Sequence, residues 1–194
     1  MDSHAEPKPA RDWQLPGDGA WWIFLTAEFM TLCLFFVVFG FARHANLQEF
    51  EAAQQLLDPR FALANSLVLI TSGYAAARAI AALRRSAVKP ALTWILIAAA
   101  LGCVFVGIKG TEYSHKMAQG LNLSSGDFWF FYYFLTGFHF LHVLLGIGFL
   151  LWIAVQLLWK PTRPGLLVQA ESCAAFWHML DLVWIVLFPL LYLL

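Results

Sequence analysis

Five long apolar segments restrict what this chain can fold into more than any other feature of its sequence. A helix that crosses the roughly 30 Å hydrocarbon core of a bilayer needs about 20 mostly apolar residues. Five segments reach that length, at 20–41, 63–83, 92–113, 128–159 and 172–194. Backbone polar groups in a bilayer must be bonded within the protein, so each segment is expected to be helical. The sequence therefore predicts an all-α integral membrane bundle of five transmembrane helices.

The composition agrees with a membrane protein and argues against a nucleic-acid binder. Hydrophobic residues make up 61% of the 194 residues, charged residues make up 12%, and the formal net charge is zero. A protein that binds the phosphate backbone needs a basic surface, which this charge balance does not supply. Cys33, Cys103 and Cys173 each lie in an apolar segment and form no C-x-x-C pair. We interpret them as packing residues.

The connections between the segments predict the orientation of the chain. Residues 44–60 are expected to form a short amphipathic surface helix that ends at Asp58-Pro59. Seven Lys and Arg residues fall on the side of the N-terminus and four on the opposite side. Because cytoplasmic loops carry the excess of basic residues, residues 1–19 are predicted to be a polar cytoplasmic segment. Residues 20–194 then form the membrane domain, and the C-terminus lies in the periplasm.

Glu28 is a candidate functional residue because it lies about two turns into the first apolar segment. A carboxylate at that depth must be protonated, paired or beside water. Two interpretations are open. Glu28 is either a proton-responsive carboxylate or lipid-headgroup contact, or a protonated residue that bonds a neighbouring helix. A proton-coupled transporter that uses Glu28 is disfavoured, because the sequence shows no pair of broken helices from inverted repeats.

The fourth and fifth segments supply five further candidates, which are His139, His142, Glu171, His178 and Asp181. Helical spacing places the two histidines of the fourth segment on one face, and the three residues of the fifth segment on another. The three imidazoles suggest a haem or metal site as one alternative. The preferred interpretation is an interhelical polar network. The sequence contains no H-E-x-x-H motif, and the carboxylate ligands of a metal site would have to come from other helices.

Lys109, Glu112 and Lys116 lie near the end of the third segment with spacings of i+3 and i+4. Side chains with these spacings pair on a helix surface. We therefore expect solvated ion pairs at the helix end, without a catalytic role. The sequence also contains no G-x-S-x-G motif and no phosphate-binding loop. Nothing in it requires the chain to be catalytic by itself.

Several of these motifs, taken in order, resemble subunit III of the haem–copper oxidases. The matching stretches are 22–30, 64–67, 112–113, 136–146 and 171–184, within a region that covers about residues 19–194. The resemblance implies a subunit that binds no haem or metal directly and packs on a catalytic haem-bearing subunit. That partner would carry haem with non-haem iron or copper, and membrane lipids, including phospholipid, would be further ligands.

Carried over residue by residue, the resemblance implies specific roles. Glu28 is then the buried carboxylate, with a role toward protons or lipid. The polar interhelical positions are His139, His142, Glu171, His178 and Asp181. Lys109 stands where many members carry Gln, and Phe140 stands where many carry Gly.

The short five-segment form looks closest to the NorE-type accessory proteins of bacterial nitric oxide reductase, because the family's longer form has two additional leading helices. The expected function is a non-catalytic accessory subunit of a haem–copper respiratory enzyme, either nitric oxide reductase or a terminal oxidase. It would support assembly, stability or the proton and lipid environment as a multi-pass protein of the bacterial inner membrane. The alternatives are a haem- or metal-binding redox protein that uses His139, His142 and His178, and the transporter described above.

Overall fold

A computed structural model describes residues 19–194 as six helices with short connections. The helices are α1 Gly19–Ala45, α2 Leu47–Gln54, α3 Pro59–Arg84, α4 Val88–Ala118, α5 Asp127–Trp159 and α6 Leu166–Tyr192. Five of these helices, all except α2, are long and apolar enough to cross a membrane. The predicted all-α bundle with five membrane-spanning helices is therefore confirmed. Most of the predicted N-terminal polar segment, residues 1–18, lies outside the described residues.

The observed helices extend beyond the apolar segments at several ends. Helix α4 continues past the predicted end at 113 to Ala118, and α6 begins at Leu166 rather than at 172. The length of an apolar segment reflects the thickness of the bilayer, whereas a helix ends where its backbone geometry changes. Gly165 provides such a change before α6, because its φ is +79°, a left-handed conformation that glycine adopts readily.

Four helices form a closed bundle in which α3 contacts α4, α4 contacts α5, α5 contacts α6, and α6 returns to α3. Helix α1 lies outside this four-helix bundle, against α5 and α6. Only Leu25, Leu32 and Phe39 of α1 are buried. Most of the α1 surface is therefore open to lipid or to another protein chain.

Two tryptophans of α6 fasten it to α3 through hydrogen bonds inside the bundle. The Trp177 indole donates from Nε1 to Ser72 Oγ over 3.1 Å, and Trp184 donates in the same way to Ser66 Oγ over 3.0 Å. Ser72 in turn donates to the Ala98 carbonyl oxygen of α4 over 2.7 Å. Both indole N–H groups are thus satisfied in the buried interior of the bundle, where an unpaired donor is costly.

The predicted surface helix at 44–60 is observed as the shorter α2, and it is partly buried. Phe50 packs against Phe39 of α1 and Phe128 of α5, with ring centroids 5.5 and 5.6 Å apart. Glu49 Oε1 accepts a hydrogen bond from the Asp127 backbone N–H over 3.0 Å, at the start of α5. Asp58 does not end α2. It caps α3 by accepting from the Arg60 backbone N–H over 2.9 Å.

Gly102 of α4 and Gly146 of α5 leave room for the indole ring of Trp177. A Cβ atom at either glycine would lie 2.7 Å from that ring. The bundle is therefore closed around a large, fully buried aromatic side chain that two glycines accommodate. Close helix contacts at small residues are a principal source of stability for helices in a bilayer.

We expect Gly102→Ala and Gly146→Ala to lower the melting temperature of the detergent-solubilised protein, because overpacking costs about 1–3 kcal/mol. Gly107→Ala is the matched control on α4, since an added Cβ there meets no atom within 4 Å. Circular dichroism recorded during heating measures the three variants. Equal melting temperatures for all three would contradict the packing described for Trp177.

Candidate functional site

The polar residues of the spanning helices lie at several separate positions in the structure. Glu28 and His142 meet between α1 and α5, His139 lies inside the four-helix bundle, and Glu171 lies near one end of it. His178 and Asp181 lie on α6 beside α3. A further cluster is built around Lys109. These groups share no common centre, so each is described by itself.

The contact between Glu28 and His142 requires one proton if it is to be a hydrogen bond. His142 Nδ1 lies 2.8 Å from the Phe138 carbonyl oxygen. A carbonyl oxygen only accepts, so Nδ1 carries a hydrogen and donates it. His142 Nε2 lies 3.3 Å from Glu28 Oε2. In a neutral imidazole, Nε2 would then present a lone pair to the carboxyl group, and the contact is attractive only when a proton lies between the two atoms.

The pair is thus either a protonated Glu28 that donates to His142 or an imidazolium that donates to a carboxylate. Both side chains are largely shielded, with exposed fractions of 25% for Glu28 and 16% for His142. A partner for Glu28 explains how a carboxyl group is tolerated in a spanning helix. The pair also connects α1 to the four-helix bundle.

His139 has a different environment from His142, although they are neighbours on α5. Its side chain is buried, and neither ring nitrogen has a hydrogen-bond partner among the described residues. The imidazole stacks on Trp184 with ring centroids 5.3 Å apart, and Phe105 lies edge-on at 5.7 Å. His139 therefore acts in the structure as a packed aromatic ring with two unused polar atoms.

Glu171 bonds to α3 rather than to a histidine. Arg84 Nη2 lies 2.8 Å from Glu171 Oε1, at the end of the bundle where α3 ends and α6 begins. The exposed fraction of the Arg84 side chain is 65%, so this ion pair is largely solvated or at the membrane surface. Surface ion pairs of this kind contribute about 0–1 kcal/mol to stability.

His178 and Asp181 pair along α6, where Nδ1 lies 3.3 Å from Asp181 Oδ2. Gly73 of α3 lies directly against this carboxylate, because a Cβ at that position would overlap Asp181 Oδ2. The second oxygen, Oδ1, is buried without a partner among the described residues. The pair is therefore incomplete in its hydrogen bonding.

The three imidazoles proposed for haem or metal do not converge. His142 faces Glu28, His178 faces Asp181, and His139 stacks on an indole ring. Across residues 19–194, no group of three or more His, Cys, Asp and Glu side chains is arranged to hold a metal ion. The described residues instead offer separate polar contacts, of which Glu28–His142 and Arg84–Glu171 join two helices and His178–Asp181 lies within α6.

The solvated ion pair predicted for Lys109 is wrong, because Lys109 is fully enclosed in the bundle. Its side chain is 1% exposed, and Nζ donates to Glu112 Oε2 over 3.1 Å. It also donates to Tyr132 OH over 3.1 Å and to Tyr192 OH over 2.6 Å. All three hydrogens of the ammonium group thus have an oxygen acceptor.

The two tyrosines complete the cluster around Glu112. Tyr132 OH donates to Glu112 Oε1 over 2.7 Å, and Tyr192 OH donates to the same oxygen over 2.6 Å. The Lys109 ammonium also lies 4.7 Å from the ring centroid of Tyr132 and 5.6 Å from that of Trp184. Cation–π attraction adds to the ion pair in such a setting. The cluster joins α4, α5 and the end of α6.

A signal for this burial was present in the sequence. Lys109 follows Ala98 and Gly102 at spacings that place all three on one face of α4. That face of small residues indicates a close helix contact. A lysine in line with it is therefore expected inside the bundle, although its tyrosine partners come from distant parts of the chain.

An apolar groove of about 770 Å³ lies between α1, α5 and α6. Its lining residues are Trp21, Leu144, Leu145, Gly148, Phe149, Trp152, Val168, Gln169, Ser172 and Cys173. The Trp21 indole spans one side and donates from Nε1 to the Ser172 carbonyl oxygen over 3.2 Å. The groove thus has apolar walls with a small number of polar groups at its edge.

We expect Glu28 and His142 to be energetically coupled, because each satisfies the other in an apolar setting. A double-mutant cycle with Glu28→Leu, His142→Leu and the double variant should give a coupling of about 0.6 kcal/mol, the average for interhelical hydrogen bonds in membranes, and at most about 1.7 kcal/mol. Reversible unfolding in mixed micelles measures the three free energies. Glu28→Gln is the control that keeps a donor toward Nε2. Strictly additive losses would show that the two groups do not interact.

Removal of one partner from the Lys109 cluster should destabilise the bundle strongly. Lys109→Met leaves the Glu112 carboxylate buried without its counter-charge, and such losses cost about 3–5 kcal/mol. Lys89→Met, at an exposed lysine near the start of the same helix, is the matched control and should change little. Unfolding free energies in detergent test this. Similar stability of the two variants would contradict an internal ion pair at Lys109.

Comparisons with known proteins agree with this architecture. The family model described as cytochrome c oxidase subunit III matches residues 20–194. The probable quinol oxidase subunit 3 of Staphylococcus saprophyticus is 32% identical over 171 residues, which cover 88% of this chain and 85% of that protein. Proteins of the same name from Staphylococcus haemolyticus and Staphylococcus aureus are 29% and 30% identical.

These relatives and the five apolar helices identify a multi-pass bacterial membrane protein. The family model covers nearly the whole chain and includes every polar pair described above. The chain therefore belongs to the cytochrome c oxidase subunit III family of the haem–copper oxidases.

Proposed function

We propose that this chain is a non-catalytic accessory subunit that binds the catalytic, haem-bearing subunit of a respiratory enzyme in the bacterial inner membrane. Membership of a family of third subunits implies such a partner. The observation that carries the proposal is the separation of the three imidazoles into three unrelated contacts. Haem, together with non-haem iron or copper, then belongs to the partner.

The class of partner follows from the relatives. They are named as probable quinol oxidase subunits, which favours a terminal oxidase that takes electrons from quinol. A nitric oxide reductase partner, with the chain in a NorE-type role, is the alternative. The haem types of the copurifying subunit distinguish these two partner classes.

The proposed orientation places the start of α1 toward the cytoplasm and the end of α6 toward the periplasm. Support comes from the basic residues at the α3–α4 and α5–α6 connections, which are Arg84, Arg85, Lys89, Lys160 and Arg163. Cytoplasmic connections carry such an excess. Residues 1–19 would then be the cytoplasmic segment, and residues 20–194 the membrane domain.

A lipid role is proposed for the apolar groove between α1, α5 and α6. Its volume of about 770 Å³ and its aromatic walls fit acyl chains. Phe176 connects the groove to the contact between Glu28 and His142. Its ring centroid lies 5.3 Å from that of Phe149 in the groove and 6.3 Å from that of His142. A phospholipid in the groove would therefore contact the same helices that hold the proton between Glu28 and His142.

The tagged chain, extracted in mild detergent, is expected to copurify with a haem-bearing membrane subunit in a fixed ratio, because its implied role is assembly with that partner. Visible spectra and mass spectrometry of the complex measure the haem type and the partner. An unrelated tagged membrane protein of similar size is the control.

A chain that elutes alone under these conditions would contradict the proposal. Retention of a Soret band by the isolated chain, with loss of that band in His139→Ala or His178→Ala, would support the redox alternative instead. Proton flux into liposomes that is abolished by Glu28→Gln would support the transporter alternative.

A further inference from the structure

The outer surface between α3 and α6 carries a polar pair that the bundle itself does not satisfy. His178 is near the middle of α6, which runs from Leu166 to Tyr192, and its side chain is 43% exposed. Its Nδ1 is used by Asp181, and its Nε2 has no partner among the described residues. Asp181 Oδ1 is also unpartnered. A half-exposed imidazole on a spanning helix, about 10 Å inward from Glu171, should not face acyl chains.

A groove of about 320 Å³ begins at His178 and continues along α3 and α6. Four of its eight lining residues are alanines, namely Ala77 and Ala81 of α3 and Ala174 and Ala175 of α6. Arg84 and Glu171 form their ion pair at one end of it, and His178 lies at the other. Small residues four apart allow a second helix to approach closely.

We propose that this groove is the docking surface for a transmembrane helix of the catalytic subunit, and that this helix presents a hydrogen-bond donor to His178 Nε2. The inference rests on the proposed function, since it names the face through which the two subunits meet. The donor goes with one tautomer of His178, which is part of the proposal. When Nδ1 donates to Asp181 Oδ2, Nε2 carries a lone pair and accepts.

Charge and shape both favour a helix as the occupant. His178 Nε2 is a half-exposed nitrogen on a spanning helix without a partner among the described residues, and a side chain N–H or O–H of a neighbouring helix satisfies it where an acyl chain does not. The ion pair of Arg84 and Glu171 offers polar contacts where such a helix reaches the surface. The alanine walls supply the close apolar contact between them.

The test uses the full chain in its native membrane. A photoreactive benzoylphenylalanine replaces Ala81 in the groove or, as the matched control, Ala100 on the outer face of α4; both alanines are exposed in spanning helices. Irradiation should crosslink the Ala81 derivative to the haem-bearing subunit and the Ala100 derivative much less. Mass spectrometry then identifies the crosslinked peptide, which should carry a donor side chain.

A second measurement uses ordinary substitutions. Ala77→Trp and Ala81→Trp fill the groove from exposed positions and should reduce the haem recovered per chain by about tenfold, the consequence expected from an overpacked contact. Ala100→Trp should leave the recovery unchanged. Circular dichroism shows whether each isolated chain keeps its helical content.

The outcomes separate the two proposals. Crosslinks from Ala81 to a second copy of this chain, or to lipid alone, would overturn the docking surface. So would unchanged haem recovery in both groove variants. If the wild-type chain copurifies with a haem-bearing subunit but crosslinks only from Ala100, the docking surface is wrong and the accessory role stands. If the wild-type chain recovers no haem-bearing subunit, the proposed function itself fails.

Discussion

The cost of a polar side chain in a bilayer is the constraint on which this structure depends. An ionisable group in a spanning helix must find a partner inside the protein, because the lipid offers none. Lys109 and Glu28 show two solutions. Lys109 is enclosed in the four-helix bundle and gives each ammonium hydrogen to an oxygen. Glu28 projects from the peripheral helix, and its Oε2 lies 3.3 Å from His142 Nε2.

These solutions also determine how the helices are held together. The Lys109 cluster joins α4, α5 and the last turn of α6, whereas the tryptophans of α6 bind it to α3. Helix α1 has few buried side chains, and polar contacts join it to α5 through Glu28 and to α6 through Trp21. Among the described residues of α3 to α6, the buried side-chain atoms without a hydrogen-bond partner belong to Asn65, His139, Gln169 and Asp181.

The number and class of the spanning helices were accessible from the sequence, because apolar length reports bilayer thickness directly. The candidate residues were accessible too, since a charge or imidazole in an apolar segment is conspicuous. Their partners were not. Glu171 meets Arg84, which lies 87 positions away, and Lys109 meets Tyr192 across 83 positions. Such pairs depend on which helices become neighbours, and local spacing does not contain that information.

We propose that redox chemistry belongs to a partner and that this chain contributes structural pairing. The most direct test separates the two after they are purified together, by dissociating the complex in a harsher detergent and recording the visible spectrum of each fraction. The account predicts that all haem absorbance follows the partner and that this chain elutes colourless with its helical content retained. Haem absorbance that stays with this chain in stoichiometric amount would contradict it.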